Sequence, residues 1–246
     1  IQGNNVFSQE ERFASLGFYI LDELQFNKWL FRTSLRFDHQ SLGADTISEN
    51  QYYNVLNPSI GFSYAVAKQQ NLFFNFSTSF ETPALSELSA NPSGAEGLNL
   101  DLNPSRALNY EVGWKAISSQ TKFEVTGFYI KSSNEILPYE LEAFPGRSFY
   151  QNSGATVRYG IELFGEAQWN QWKLQASLTQ ASYLFDLEKD NFSELQGNRL
   201  PGIPNSQAFL QFEYSTLNNL QFQLTIEHIG KFYANSSNTT EIDAYQ

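Results

Sequence analysis

The chain of 246 residues contains no cysteine and no methionine, has few basic residues and lacks any long apolar run. Without cysteine it cannot form a disulfide, and this absence fits passage through an oxidising cell envelope. No apolar run approaches the ~20 residues of a transmembrane helix. Because 26 acidic residues outnumber 15 basic ones, the chain is poorly suited to binding nucleic acid.

The start of the chain also lacks familiar signals. It opens with Ile1, and no signal peptide is visible. We therefore expect the sequence to be a piece of a longer polypeptide.

Regular alternation takes the place of long apolar runs, and it is clearest on both sides of a polar segment at 81–106. The apolar positions are Leu72, Phe74, Phe76, Phe80, Leu108, Tyr110, Val112 and Trp114. The positions between them are polar or charged: Asn75, Ser77, Ser79, Asn109, Glu111 and Lys115. A period of two is the signature of a β-strand with two different faces. A continuous apolar face opposite a charged one suits a barrel with lipid outside and water inside.

The same pattern recurs about ten times, which predicts an all-β, antiparallel transmembrane β-barrel fragment. Short turns are predicted at 22–25, 68–71, 117–120, 169–171 and 216–219. Longer polar connections are predicted at 39–53, 81–106, 132–154 and 184–206, the third with its own hairpin around Pro145-Gly146. Short and long connections alternate strictly, as in outer-membrane barrels with periplasmic turns and extracellular loops.

Aromatic residues give an independent indication of a membrane. The four tryptophans lie close to predicted short turns: Trp29, Trp114, Trp169 and Trp172. Three tyrosines lie near the loop ends of predicted strands: Tyr129, Tyr183 and Tyr233. Two such girdles mark membrane–water interfaces. The alternative is a soluble all-β protein whose aromatics simply favour strands.

Four short motifs follow one another in order: 76–88 (FSTSFETPALSEL), Asn103-Pro104 with 109–113 (NYEVG), 150–154 (YQNSG) with 158–162 (RYGIE), and 197–204 (GNRLPGIP). Together they resemble the barrel of TonB-dependent outer-membrane receptors over most of residues 30–233. The resemblance implies a barrel of about 22 strands in the bacterial outer membrane, closed by an N-terminal plug domain. We therefore expect residues 1–246 to form a partial barrel domain without the plug, the TonB-contacting region and the closing strands.

Two carboxylates on the predicted lumen side, Glu111 and Glu162, lie two strands apart. Nearby carboxylates repel each other unless a cation accompanies them. The resemblance implies that this cation is an arginine of the plug domain. The alternative is pairing within the barrel, with Arg158 or Lys115.

Three further charged residues are expected to face the lumen: Arg32, Arg36 and Asp38. They either form a solvated wall with charges compensated along one strand, or contact the plug or a passing ligand. Arg158, Arg32 and Arg36 therefore join the two glutamates as candidate plug contacts.

The long loops are the expected place for ligand contacts, because binding residues concentrate on loops carried by a rigid scaffold. The most aromatic group, a set of candidate ligand contacts, is Tyr139, Phe144, Arg147, Phe149 and Tyr150. The same residues could instead pack their own hairpin. Acidic loop residues outnumber basic ones, and an acidic mouth attracts cations and repels small anions. The acidic set is Glu81, Glu87, Glu96, Glu135, Glu140, Glu142, Asp186, Glu188, Asp190 and Glu194; the basic set is Arg106, Arg147, Lys189 and Arg199.

The function implied by the resemblance is TonB-energised uptake of a scarce ligand such as an iron-siderophore complex. The alternatives are a hydrolase with its site at the barrel rim, or a passive porin-like or adhesive barrel. A Ser/His mechanism needs a positioned histidine, and His39 has no recognisable partner. His39 and His228 are too far apart in sequence to suggest a metal site. We therefore predict no enzyme activity, no catalytic residue, no metal and no cofactor.

Overall fold

A computed structural model describes residues 9–45, 50–93, 98–187, 193–216 and 220–246. The strands are β1 (Glu11–Phe26), β2 (Trp29–Ala44), β3 (Gln51–Ala67), β4 (Gln70–Glu81), β5 (Ser105–Ile117), β6 (Thr121–Glu140), β7 (Ser148–Trp169), β8 (Trp172–Phe185), β9 (Ser206–Ser215), β10 (Gln221–Ile229), β11 (Phe232–Tyr233) and β12 (Glu241–Ile242). A short helix, α1, spans Leu85–Leu88, and a 3₁₀ turn spans Ser193–Leu195. No helix in these ranges is long and apolar enough to cross a membrane.

Strands β1 to β10 form one ten-stranded sheet in chain order, and each strand pairs antiparallel with the next. Strands β11 and β12 form a separate two-stranded sheet. The prediction of about ten antiparallel strands joined by alternating short and long connections is confirmed. Residues 217–219 of the predicted turn at 216–219 lie outside the described residues.

The register places the alternating residues on two distinct faces. One row across the sheet joins Ile60, Phe76, Tyr110, Tyr129 and Tyr159 as successive cross-strand partners. We call this side the apolar face. A row on the other side, the polar face, joins Gly61, Asn75, Glu111, Phe128 and Gly160. Since cross-strand partners share a face, the predicted division of side chains holds across the sheet.

The apolar face does not cover a dry centre. Val112 in mid-sheet is 59% exposed, and Phe74 and Leu174 are only half-buried among neighbours on the same face. The most deeply buried large side chains among the described residues lie instead at the long-loop end: Leu42, Leu88, Leu102, Phe149 and Leu187. A soluble β-sandwich would bury the middles of its strands.

The first turn differs from its prediction. The chain reverses at Asn27-Lys28 rather than at 22–25, because Leu24 and Phe26 continue the apolar face opposite Phe31 and Trp29. Asn27 has a φ of 54°, and Asn170 in the turn before β8 has a φ of 49°. Asparagine tolerates this left-handed conformation better than most residues.

Two predicted loops are largely paired strand. The stretch predicted as a loop at 39–53 contains the end of β2 and the start of β3, paired from His39 opposite Asn54 to Leu42 opposite Gln51. The segment 132–154 likewise belongs mostly to β6 and β7, which remain paired as far as Glu140 and Ser148. The hairpin predicted around Pro145-Gly146 is confirmed, since it forms the tip of this long ribbon.

The tryptophan girdle is confirmed on the apolar face at the short-turn end. Trp29 contacts Tyr64 with ring centroids 4.6 Å apart, and Trp172 contacts Tyr214 at 4.2 Å. The tyrosine prediction is correct only in part. Tyr129 lies on the apolar face, but Tyr183 lies opposite Arg158 on the polar face. Tyr233 lies outside the large sheet, in β11.

Candidate functional site

The polar face carries a broad concavity of about 560 Å³ that spans β2 to β7. Its charged and amide side chains are Arg32, Asn71, Asn75, Glu111, Lys115, Glu124 and Glu162. The sheet therefore brings both predicted carboxylates to one surface, and we call this surface the wall concavity.

Glu111 and Glu162 are offset across β6, where Glu111 lies opposite Phe128 and Glu162 opposite Thr126. Two strand spacings separate their backbones by roughly 10 Å. Neither carboxylate lies within ion-pair distance of a basic side chain in the described part of the chain.

The two barrel cations considered as their partners are paired elsewhere. Lys115 lies 3.0 Å from Glu124, and Arg158 lies 2.7 Å from Glu135. The pairing of Glu111 or Glu162 with either cation, left open by the sequence, is therefore not what this structure shows.

Asn75 is the neighbour that orients Glu111. Its side-chain amide donates a hydrogen bond of 3.1 Å to Glu111 Oε2. Gly61, the cross-strand partner of Asn75, leaves room for this amide, since a Cβ at Gly61 would lie 2.8 Å from Asn75 Oδ1. The carboxylate is thus held by a neutral donor and keeps its negative charge uncompensated.

Arg32 and Arg36 are already neutralised within the wall. Arg32 donates to Glu23 on β1 at 3.0 and 2.6 Å. Arg36 donates to Asp38 two residues along the same strand, at 2.7 to 3.0 Å. The expected compensation along one strand therefore holds for Arg36, whereas Arg32 is compensated across strands.

Arg158 and Glu135 lie where the wall meets the loops. Glu135 Oε1 accepts hydrogen bonds from Thr156 at 2.6 Å and from Arg158 at 2.7 Å. Arg158 Nε is buried and has no hydrogen-bond partner among the described residues. These side chains border a polar cavity of about 290 Å³ that also contacts Glu81 and Glu87. We call it the upper cavity.

The connection between β4 and β5 folds over the upper end of the sheet. Leu88 of α1 packs with Leu98, Leu102 and Leu42 in a buried cluster. Tyr150 of β7 packs against this cluster, and its carbonyl accepts a 3.5 Å hydrogen bond from Asn99. The loops are therefore anchored to the strand ends by a small apolar core.

The predicted aromatic loop residues do come together at the β6–β7 tip. Phe149 is completely buried beneath its neighbours. Its ring centroid lies 6.1 Å from that of Tyr139 and 5.7 Å from that of Phe144, and Arg147 lies 5.0 Å above the ring. Phe149 thus packs the hairpin, while Phe144 and Arg147 remain exposed at its surface.

Several charged partners were not singled out from the sequence. Glu23 was assigned to the misplaced first turn. Glu135 was counted only among the acidic loop residues, because the register shift between Ser133 and Ile136 conceals its pairing with Arg158. Glu166 lies 3.0 Å from Lys122 and 3.3 Å from Lys173. It occupies a polar-face position between the clearly alternating residues 157–163 and the predicted turn at 169–171. Continuing the alternation along β1 and β7 would have placed Glu23 and Glu166 on the polar face.

Glu96, Glu188, Lys189 and Asp190 lie outside the described residues. Within the described ranges no group of three or more histidine or acidic side chains is arranged to hold a metal ion. His39 contacts Asn54, with 2.8 Å between Nδ1 and Oδ1, and stacks on Tyr52.

The family model described as TonB dependent receptor-like, beta-barrel matches residues 1–246. The chain belongs to this family. The vitamin B12 transporter BtuB of Vibrio vulnificus (strain CMCP6) is 25% identical over 220 residues, which cover 88% of this chain and 31% of BtuB.

Solved structures of the family share the fold. The siderophore receptor PiuA from Acinetobacter baumannii superposes with a TM-score of 0.79 at 20% identity, covering 96% of this chain and 36% of PiuA. The ferric-catecholate import receptor Fiu from E. coli K12 gives a TM-score of 0.76 at 17% identity, covering 96% of this chain and 37% of Fiu. The chain thus spans about a third of the length of these receptors.

Membership fixes the orientation of the two faces. This segment of the TonB-dependent receptor barrel lies in the outer membrane of Gram-negative bacteria. Its apolar face contacts lipid, and its polar face lines the lumen. The predictions of family, barrel architecture and location are confirmed.

Proposed function

We propose that this segment forms part of the wall of a transporter that imports a scarce ligand, such as an iron-siderophore complex, across the outer membrane with energy from TonB. The observation that carries the proposal is the wall concavity, where Glu111 and Glu162 share one surface without a basic partner among the described residues. Two uncompensated carboxylates are a ready site for cations of a domain that fills the lumen.

In this proposal the plug domain supplies those cations. Arginine suits such contacts, because its guanidinium forms paired hydrogen bonds with carboxylates. Asn75 orients Glu111 for this contact. Arg158 contributes through the third of its side chain that remains exposed. Arg32 and Arg36 contribute through the half-exposed parts of guanidiniums already held by Glu23 and Asp38.

The proposed ligand contacts lie on the loops. Tyr139, Phe144 and Arg147 offer partly exposed aromatic and cationic surface at the β6–β7 tip. Phe149 supports them from beneath, and Tyr150 ties the hairpin to the leucine cluster. Aromatic surface suits an organic ligand.

Loop charge narrows the class of ligand. Glu81, Glu87 and Glu135 contact the upper cavity, and Arg158 is its one basic lining residue among those described. The negative electrostatic potential of these glutamates disfavours binding of a strongly anionic iron complex. A neutral or cationic ferric complex, or a neutral cobalt corrinoid, fits better. The names of these relatives mention vitamin B12 for BtuB, a siderophore for PiuA and a ferric catecholate for Fiu.

An uptake measurement tests the proposal. A strain that lacks the receptor is complemented with the full-length gene in tonB-positive and tonB-negative backgrounds, and accumulation of radiolabelled ferric siderophores and cobalamin is measured. We expect saturable uptake of one ligand class only when TonB is present. Uptake that is linear with concentration and equal in both backgrounds would indicate a passive pore instead.

A further inference from the structure

The polar face changes character at the long-loop end of β2 and β3. Lower on β2 it carries Arg32 and Ser34, as expected for a wall in contact with water. By the register of the two strands, Leu42, Tyr53 and Val55 lie on the same face, yet each is apolar and no more than 4% exposed. Apolar side chains that line a water-filled lumen are favourable only when they are covered.

The cover is supplied by the connection between β4 and β5, whose residues 84–93 and 98–104 we call the strap. Its leucines Leu88, Leu98 and Leu102 form one buried cluster with Leu42 of β2. Ile136 of β6 and Tyr150 of β7 pack against the same cluster. Strands β2 and β7 are five positions apart in the sheet, which is roughly 24 Å along it. The strap therefore spans this sector of the lumen from one side to the other.

Hydrogen bonds hold the strap at both sides. The Tyr53 hydroxyl of β3 donates to the carbonyl of Leu102 at 3.2 Å. Asn152 of β7 binds the main chain of Asn103 twice: its Oδ1 accepts from the N–H at 2.6 Å, and its Nδ2 donates to the carbonyl at 2.7 Å. Nδ2 also donates to the carbonyl of Asn134 at 2.8 Å, where the register of β6 and β7 shifts. Asn152 thus joins the strap, β6 and β7 at one point.

We propose that the strap is a fixed brace inside the mouth of the barrel and not a mobile lid. It ties β2 to β7 on the lumen side, Asn152 positions it, and it keeps its place when a ligand arrives. A lid has to separate from its seat, and separation here would expose four clustered leucines to water. Segments that open readily have few buried apolar contacts. The four leucines of the cluster are instead no more than 5% exposed.

The brace has a consequence for the upper cavity. Glu87 of α1 belongs to the strap and lines this cavity together with Glu135 and Arg158 of the wall. Glu87 Oε2 accepts a 2.8 Å hydrogen bond from the N–H of Ala84, so the docked strap sets the position of the carboxylate. Because the strap is fixed, the cavity and its negative charge are present before a ligand binds. This consequence rests on the proposed function, whereas the brace itself does not.

Hydrogen exchange in the full-length receptor, purified without ligand, tests the brace. The amides of Asn99 and Asn103 donate to the Leu88 carbonyl and to Asn152 Oδ1, so they should exchange slowly. Tyr53→Phe removes one hydroxyl and should speed exchange of residues 98–103 about five-fold, the factor for one typical hydrogen bond. Asn152→Ala removes several bonds and should speed it by about ten-fold or more. Exchange in β1 and β2 should stay unchanged, which separates loss of the brace from general destabilisation.

Asn109→Ala is the matched control. Asn109 of β5 lies on the same polar face, but its amide donates to Ser77 and Ser79 of β4 at 3.3 and 3.4 Å rather than to the strap. Residues 98–103 should exchange in this variant as in the wild type. If Tyr53→Phe and Asn152→Ala behaved like the control, the strap would not be held by these contacts and the proposal would be overturned.

A distance measurement tests whether the strap stays in place. Ser86→Cys on the strap and Gln120→Cys in the turn before β6 are exposed labelling sites, and the chain has no cysteine of its own. Electron paramagnetic resonance on the spin-labelled full-length receptor should give one narrow distance distribution. Ferric siderophores and cobalamin should leave it unchanged, and a shift with any of them would show a lid and overturn the proposal. A protected strap in a receptor without TonB-dependent uptake would refute the proposed function alone.

Discussion

Asn75 donates a 3.1 Å hydrogen bond to Glu111 across the β4–β5 pair, and no basic side chain in the described part of the chain forms an ion pair with that carboxylate. This contact fixes the position of Glu111 without neutralising it. Four other carboxylates on the wall, Glu23, Asp38, Glu124 and Glu166, each have a basic partner. Some carboxylates of the wall therefore neutralise basic side chains of the barrel, whereas Glu111 and Glu162 are free to bind another domain.

The first prediction concerns these free carboxylates. Glu111→Gln combined with Glu162→Gln should weaken retention of the plug, since each carboxylate would lose a charge-assisted hydrogen bond of about 1.5–3 kcal/mol. In the full-length receptor the plug should unfold at lower urea concentration than in the wild type, and TonB-dependent uptake should fall. The barrel itself should remain folded, so that unheated and heated samples still migrate differently on denaturing gels.

Glu227→Gln serves as the control for this pair. Glu227 is exposed on the polar face of β10, opposite Phe209, and lies outside the wall concavity. It should leave plug unfolding and uptake unchanged. If the double variant behaved in the same way as this control, the plug-contact role would be wrong.

The second prediction concerns Glu135, which links β6 to β7 at the upper cavity. Glu135→Gln should leave Arg158 unpaired in a half-buried site and lower the free energy of unfolding by about 1–2 kcal/mol, less than the 3–5 of fully buried pairs. Denaturant titration of the refolded barrel in lipid vesicles measures this. Arg12→Gln removes the fully exposed pair with Glu10 and should change stability by less than about 0.5 kcal/mol. Equal effects of the two substitutions would contradict the prediction.

Period-two alternation was sufficient to predict the ten strands and their faces, because lipid and lumen impose different side chains on alternate residues. It failed where a strand leaves the membrane. The paired residues 39–44 and 51–53 face water or the loop core, so nothing requires them to alternate. Ion pairs such as Arg158–Glu135 could not be read either, since they depend on the register shift near Ser133.

The third prediction separates packing from ligand contact at the β6–β7 tip. Phe149→Ala should lower the free energy of local unfolding of the hairpin by about 3–5 kcal/mol, as for other fully buried aromatics. The hairpin should then open more often. Trypsin added to whole cells should then cleave after the exposed Arg147 faster than in the wild type. Phe144→Ala removes a partly exposed ring and should affect cleavage much less, although it should weaken ligand binding. Faster cleavage in Phe144→Ala than in Phe149→Ala would reverse the assignment.

The fourth prediction concerns Gly113 on the polar face. A Cβ there would overlap the ring of Phe73 and lie 2.5 Å from the main-chain oxygen of Val125. Since the backbone cannot move away, Gly113→Ala should destabilise the barrel by about 1–3 kcal/mol. Gly165→Ala, which has open space around it, should be neutral within about 0.5 kcal/mol in the same denaturant titration. A neutral Gly113→Ala would contradict the prediction, because both the Phe73 ring and the strand that carries Val125 would then have to shift without cost.

The last prediction tests the orientation of the whole sheet with two adjacent residues of β10. Leu224 lies on the apolar face opposite Phe212, and Gln223 lies on the polar face opposite Glu213; both are exposed. Leu224→Arg places a charge in lipid near the bilayer midplane and should lower the free energy of unfolding by about 2–4 kcal/mol. Gln223→Arg places the same charge in water beside a carboxylate and should leave the free energy of unfolding nearly unchanged. Refolding into lipid vesicles followed by denaturant titration measures both. The two residues are neighbours in one strand and receive the same side chain, so the variants compare the same charge on the two faces. A larger cost for Gln223→Arg than for Leu224→Arg would place lipid on the polar side of the sheet and remove the basis for the proposed plug contacts.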